Sequence, residues 1–436
     1  VTAFSFDDPV KLAIQKESMK RPFHMSPTAH LRVFFLFAAG YFVSYVFRGV
    51  NLGFAPLITH DLGLSAADLG LLTSLYFIGF ALAQIPVGVL LDHFGPRRVT
   101  ASMLVFAAAG IWVFGASRGL AGLMIGRLLI GIGVSVCLSA AFKASAQHFA
   151  LARLPLINGF TMAVGGLGGV VVGSPLAALL QVASWRQVCV GLGMFTLVVA
   201  AAIVLFAPRK AEADPHHRAD VVTQFKGTWL ILKSGVFWKI ASFSVVTQGV
   251  FYAMQSLWIR PYLLDVMGLA PAHAAALVSI LGFAMMFGCV GFGAAARGME
   301  RRGVSVYAFC GAGMMLFVAT QLLMVLRVPV PPSMLIAAYG IFGGTGILSY
   351  AVAAEYFPSH MIGRAHTTLT LVIFLLIFGF QVGVGAMLSF WPSDGGRYPA
   401  SAHLTVWIVL IGLQVASAVW YVFPSRTVQK AERAAR

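Results

Sequence analysis

The stretch Gly88-Val-Leu-Leu-Asp92-His-Phe-Gly95-Pro96-Arg97-Arg98 decides the fold of this chain. An apolar run from Leu69 to Leu91 leads into it, and a second, from Val99 to Gly115, follows. Each run has roughly the length a helix needs to cross the hydrocarbon core of a bilayer. Gly95 and Pro96 supply a turn, so the two runs fold back as a hairpin. Two arginines in so short a turn between spans place it on the cytoplasmic side, where positive residues are retained.

Composition extends that reading to the whole chain. Of 436 residues, 59% are hydrophobic and only 10% charged, with a mean hydropathy of +0.88. Soluble domains carry about 25% charged residues, so this is an all-α polytopic membrane protein. The apolar runs are long and continuous, unlike the alternating strands of an outer-membrane barrel. Residues 1–30 are polar and mixed and show no pattern of a cleavable signal peptide. Cys137, Cys189, Cys289 and Cys310 all fall inside apolar runs without a CxxC pair and read as buried thiols.

Runs long enough to span lie at roughly 31–58, 69–91, 99–117, 120–147, 155–180 and 185–207. Six more follow at roughly 237–263, 273–296, 304–326, 333–357, 365–390 and 402–423. The predicted organisation is therefore a cytoplasmic segment over 1–30, a six-helix bundle over 31–207, a cytoplasmic linker over 208–236, a second six-helix bundle over 237–423 and a cytoplasmic tail over 424–436. Repeated halves of this kind are common among secondary transporters.

The distribution of charge sets the orientation. Of the 30 Lys and Arg residues, 22 fall in the N-terminal segment, the linker, the tail and the loops on their side. Only Arg118, Arg186, Arg260, Arg327 and Arg397 fall on the other side. Both termini are thus expected in the cytoplasm of a cytoplasmic or inner-membrane protein. The net charge of +16 then signals topology and attraction to anionic lipid rather than a nucleic-acid surface.

The spacing G-x-x-x-D-x-x-G-x-R-R over Gly88–Arg98, placed between two spans, resembles the loop joining helices 2 and 3 of the major facilitator superfamily. That resemblance implies twelve transmembrane helices in two six-helix halves. It further implies that Asp92 caps the facing helix of the other half while Arg97 and Arg98 pair with nearby acids, latching the inner side. The equivalent stretch of the second half, Gly293 to Gly303, has Arg297 where an acid is expected, so the second latch is degenerate. Gly126-Arg127-Leu-Leu-Ile-Gly131-Ile-Gly133 resembles the helix 4 motif of the same superfamily, whose arginine serves proton coupling or helix packing.

The remaining cations, Arg48, Arg127 and Lys143, lie within spans, and no Asp or Glu lies mid-span. Charge inside a membrane is costly and marks function by default. A cavity holding positive charge without a countercharge is best satisfied by an anionic substrate. Arg48 sits about 15 Å below the outer end of its helix at about 1.5 Å per residue, too deep to snorkel easily. Tyr45 and Asn51 flank it at helical spacing. The stretch from Tyr45 to Pro56 also resembles helix 1 of organic-anion and organophosphate members of the superfamily, which carry a substrate-binding arginine there. Glycerol-phosphate antiporters add a second arginine in helix 7, where this chain has Gln248, Tyr252 and Gln255, with Arg260 nearer the outer end. A monoanionic carboxylate or a larger weak acid therefore fits better than a dianionic phosphate.

Other polar residues in the spans admit two readings. Gln248 and Gln381 either orient a ligand or join helices. Lys143 lies near the inner boundary and either snorkels or reaches substrate. Glu355 and His366, at inner helix ends, are the titratable groups left for coupling. Rival readings are a drug exporter, whose adjacent Gly and Pro are here separated as Gly173-Ser174-Pro175, a siderophore or metal-chelate carrier, and a metal transporter using Met285, Met286, Met314, Met315, Cys289 and Cys310. A non-transporting receptor of the same fold is a further alternative. No nucleotide loop, metal cluster or catalytic triad is visible, so neither an enzyme nor a cofactor is expected. The predicted partners are a small anionic solute and membrane lipid, with no nucleic acid, and the chain is read as a monomer.

Overall fold

The computed structural model describes residues 27–149, 153–208, 221–357, 361–394 and 396–423. Residues 1–26 of the N-terminal segment, 209–220 of the linker and the whole tail lie outside the described residues, as does the side chain of Arg297. Among the described residues the chain is helical, with one isolated bridge between Asp394 and Arg397 closing a loop turn.

Helix α1 is Pro27–Leu62. The next helix, Ala66–Ala116, has 51 residues, about 76 Å at 1.5 Å per residue, against a hydrocarbon core of about 30 Å. Gly95 breaks it with φ 74° and ψ 165°, a region that only glycine enters freely. Two arms result, α2 (66–94) and α3 (96–116). Then come α4 (Leu120–His148), α5 (Leu154–Val171 and Ser174–Val182, bent by 43°) and α6 (Trp185–Phe206). A short linker helix, Val221–Leu232, precedes α7 (Gly235–Asp265). The second half continues with α8 (Pro271–Glu300), α9 (Val306–Val325), α10 (Pro332–Tyr356), α11 (Ile362–Leu388) and α12 (Ala400–Val422). Nine helices among the described residues are long and apolar enough to cross a membrane, or eleven when each of two bent pairs is taken as one span.

Local sequence explains where several helices start. Ser65 and Asp68 form a capping box at the head of α2, as Ser184 and Gln187 do for α6. Ser234 and Ser305 cap α7 and α9. Large apolar side chains such as Phe106, Val198, Phe287 and Trp420 stay exposed on the outside of the bundle, where lipid is the solvent. The polar side chains are inside: Asn51, Arg127, Gln321, Gln381 and Gln414 are all fully buried.

The halves meet along two helix pairs, α2 with α11 and α5 with α8, and α1 also touches the middle of α7. Small residues permit the approach. A Cβ on Gly70 would lie 2.6 Å from the Gln381 carbonyl oxygen, and one on Gly282 would lie 2.7 Å from the Val170 nitrogen. Deeper in, Phe80 and Phe374 stack face to face at 4.0 Å across the α2–α11 seam. Within the first half, a Cβ on Gly131 would come 2.0 Å from the Tyr76 carbonyl oxygen, a backbone atom that cannot yield. Gly412, exposed on α12, has open space around it. Gly131→Val is therefore expected to cost about 1–3 kcal/mol or more through overpacking, whereas Gly412→Ala stays within about 0.5 kcal/mol; melting of the two variants in detergent checks the contrast.

Candidate substrate site between the halves

Arg48 projects from α1 toward the seam between the halves and is 8% exposed. Aromatic rings surround it. Its guanidinium carbon lies 4.4 Å from the Tyr45 ring centre, 5.2 Å from Tyr252 on α7 and 5.5 Å from Phe374 on α11. The phenols of Tyr41, Tyr76 and Tyr350 lie within electrostatic reach. Ring faces attract a cation but leave its N–H groups unused. No carboxylate pairs with Arg48 among the described residues, and its buried Nε has no hydrogen-bond partner.

The cavity beside Arg48 is lined from the first half by Tyr45, Gly49 and Val172, and from the second by Gln255, Ser256 and Leu281. Its volume is about 20 Å³, room for one water and no more. An organic ion enters only when the halves part. Gln255 also donates to the Met285 sulfur at 3.5 Å. Tyr45, Arg48, Tyr252 and Gln255 are thus brought together from both halves.

The other polar residues singled out from sequence have different partners, and broken helices explain them. The middle of α7 widens into a π-turn over Met254–Trp258, and Gln381 donates to the Ala253 carbonyl at 2.9 Å and to Ser256 Oγ at 2.6 Å. Helix α10 tightens into a 3₁₀ turn over Gly344–Ile347, and Gln248 donates to the Gly346 carbonyl at 2.7 Å. At the bend of α5, Ser279 of α8 accepts from the Ser174 N–H at 2.9 Å and donates to the Val170 carbonyl at 3.0 Å. Asn51 donates to Thr73 Oγ1 at 2.7 Å, tying α1 to α2. Backbone groups freed inside a membrane must be met by some neighbour, and Gln381, Gln248 and Ser279 meet them.

Arg127 is fully buried within the first half. It donates to the Phe47 carbonyl at 2.9 Å and lies 5.0 Å from the Phe114 ring centre, joining α4 to α1 and α3. Lys143 pairs with Asp92 and donates to the Leu91 carbonyl. Arg97 donates through Nε to the Val204 carbonyl at 3.0 Å, an oxygen that Pro208, four residues on, has no N–H to satisfy. Asp92 and Arg97 therefore bind partners of their own half, and Arg98 is exposed. His366 contacts the Tyr350 carbonyl at 2.8 Å, linking α11 to α10. Glu355 and Glu300 line a crevice of about 540 Å³ that also includes Asn158 and Met162 of α5. Cys137, Cys189 and Cys310 are buried and Cys289 half-buried, all as free thiols.

Tyr41, four residues before Tyr45 and seven before Arg48, shares their helix face, whereas sequence reasoning missed Tyr76, Phe374 and Ser256. These come from α2, α7 and α11, and nothing local ties them to Arg48.

A buried, unneutralised cation at the seam of two helical halves is an arrangement suited to secondary transport. The sequence profile of the Major Facilitator Superfamily matches residues 37–380, and the chain belongs to that superfamily. It is 28% identical to a probable sulfoacetate transporter of Cupriavidus necator over 158 residues, 36% of each chain. With a hexuronate transporter of Bacillus subtilis it shares 27% identity over 272 residues, 58% of this chain and 61% of that one. The matched regions thus span only part of these curated relatives. A bacterial homologue of the human lysosomal transporter Spinster, in an inward-facing unoccupied crystal structure, superposes with a TM-score of 0.71 at 18% identity, covering 93% of this chain and 99% of that one.

The two buried arginines separate in a stability test. Arg127 fills a sealed space and grips another helix, so Arg127→Ala is expected to cost about 2–4 kcal/mol. Arg48 holds no backbone group, so Arg48→Ala is expected to melt at or above the wild-type temperature. Thermal unfolding of both purified variants measures the difference.

Proposed function

We propose that this chain is a transporter that moves a small organic anion across the cytoplasmic membrane by alternating access, with Arg48 as the group that binds the anion. The single observation behind this reading is the state of Arg48. Arg127, Lys143 and Lys239 each have a carbonyl or carboxylate partner, whereas Arg48 has neither among the described residues and lines a cavity shared by both halves. A buried cation left unpaired is expensive, and an anionic solute is the group that would offset that cost. The names of the relatives agree in charge: sulfoacetate and hexuronate are both organic anions.

In this reading the carboxylate or sulfonate of the solute takes the planar Arg48 fork. Tyr45 and Tyr252 wall its body, and Gln255 supplies a hydrogen bond from the second half. Engagement of residues from both halves is what would couple binding to closure. The Asp92–Lys143 pair joins α2 to α4 and Arg97 joins α3 to α6 at their inner ends, making one unit that moves as a body, with Arg127 as its internal brace. Glu355 and His366 are the groups placed to carry a proton if flux is coupled to one. The protein acts as a monomer with both termini in the cytoplasm, as the basic-residue distribution favours.

Uptake of labelled glucuronate and sulfoacetate into proteoliposomes tests the proposal. Arg48→Ala is expected to lower uptake by about a hundredfold or more, the size of losing one charge-assisted contact of about 3 kcal/mol. Arg48→Lys retains charge but loses the planar fork and should recover only part of it. Wild-type uptake by Arg48→Ala would remove Arg48 from the site.

A further inference from the structure

A second cavity lies outward of the Arg48 site. It has a volume of about 190 Å³ and is lined by Pro56 of α1, Gln181 of α5, Arg260 of α7 and Ala275 of α8. Val172 and Val278 belong to the walls of both cavities, so the two are neighbours separated by little more than these side chains. A cavity of this size accommodates a small organic molecule; a volume of about 150 Å³ holds a benzene ring.

Arg260 is its one charged lining residue. The side chain is half-buried and forms no ion pair among the described residues. The nearby acids are engaged elsewhere: Asp61 accepts from Trp185 and Arg186, and Asp265 accepts from His403 at 2.9 Å and from the Tyr398 N–H at 3.2 Å. The path of α7 links the two cations. Tyr252 touches Arg48, Gln255 and Ser256 line the inner cavity, and Arg260 lines the outer one. The π-turn lies between them, followed by Pro261, which gives no helical hydrogen bond. π-turns recur at functional positions.

We propose that the outer cavity is a docking station for the organic anion, in which Arg260 holds the carboxylate or sulfonate before the halves part and Arg48 receives it. This rests on the anion-transport reading of the Arg48 site. The inner cavity is too small to hold the solute in the closed arrangement, whereas the outer one is not. Arg260 raises the local anion concentration at the entrance and contributes to capture more than to translocation. Because Arg260 remains partly open to water, its pull is screened by salt.

The experiment uses full-length protein in proteoliposomes sorted by orientation, with labelled glucuronate and sulfoacetate as probes at low and high ionic strength. Arg260→Gln is expected to raise KM for outer-face substrate about tenfold, leave the maximal rate within about twofold and flatten the salt dependence of uptake. KM from the inner face should be unchanged, and Arg260→Lys should restore most of the outer-face affinity. A purely structural Arg260 would move melting temperature and maximal rate without changing the salt response, and that outcome overturns the proposal. If wild-type protein moves anions and Arg260→Gln matches it in KM and salt dependence, the outer station falls while the Arg48 reading stands. If wild-type protein neither transports these anions nor is stabilised by them in thermal melts, both fall.

Discussion

A membrane interior offers no water to a backbone group that has lost its helical partner, and this protein is organised around that constraint. Its spans are broken where close packing and bending need them broken: α5 at Val172–Gly173, α7 over Met254–Trp258, α10 over Gly344–Ile347, and the α2–α3 hairpin at Gly95. At these breaks, side chains from neighbouring helices take up backbone groups. Gln381, Gln248 and Lys143 donate to carbonyls, and Ser279 serves a carbonyl and an N–H together. Several polar residues of the spans are thus mends in the backbone, and Arg48 is a buried cation that mends nothing.

That distinction explains which parts of the molecule were legible in the sequence. Apolar runs of the right length, the arginine-bearing turn at Gly95 and the Ser65 and Ser184 caps are local patterns, and local patterns survive reading in one dimension. Arg48 was legible for the same reason: a guanidinium in an apolar run is conspicuous wherever the helix ends up. The partners of Gln248 and Gln381 were not. Both lie about 100 residues or more away in sequence, and the broken turns they repair are made mostly of glycine and apolar residues that carry no warning of a break. Family resemblance pointed Asp92 toward the opposite half, yet its partner is Lys143, 51 residues on in the same half. Two charges each standing near an inner helix end gave no sign that they meet.

The aromatic cage around Arg48 follows from its missing countercharge. Ring faces stabilise a cation without consuming its N–H donors, so Tyr45, Tyr252 and Phe374 can hold the guanidinium in place while its Nε stays without a hydrogen-bond partner. A glutamate in any of those positions would hold it more tightly and also neutralise it. The site is kept charged by being surrounded with groups that stabilise the cation without neutralising it.

Ser279 carries a consequence for motion. Its hydroxyl crosses from α8 to the bend of α5, so separating the two helices at that seam strips the Ser174 N–H of its partner and leaves the Val170 carbonyl with the Gly173 N–H at 3.1 Å. The bared N–H then needs another acceptor, and water is the nearest replacement. Opening on that side is then inseparable from hydration of the bend: the gate swings when water arrives to take the place of a serine. A drier outer cleft, or a bulkier apolar lining near Gly173, would hold the protein shut without touching any residue that handles the solute.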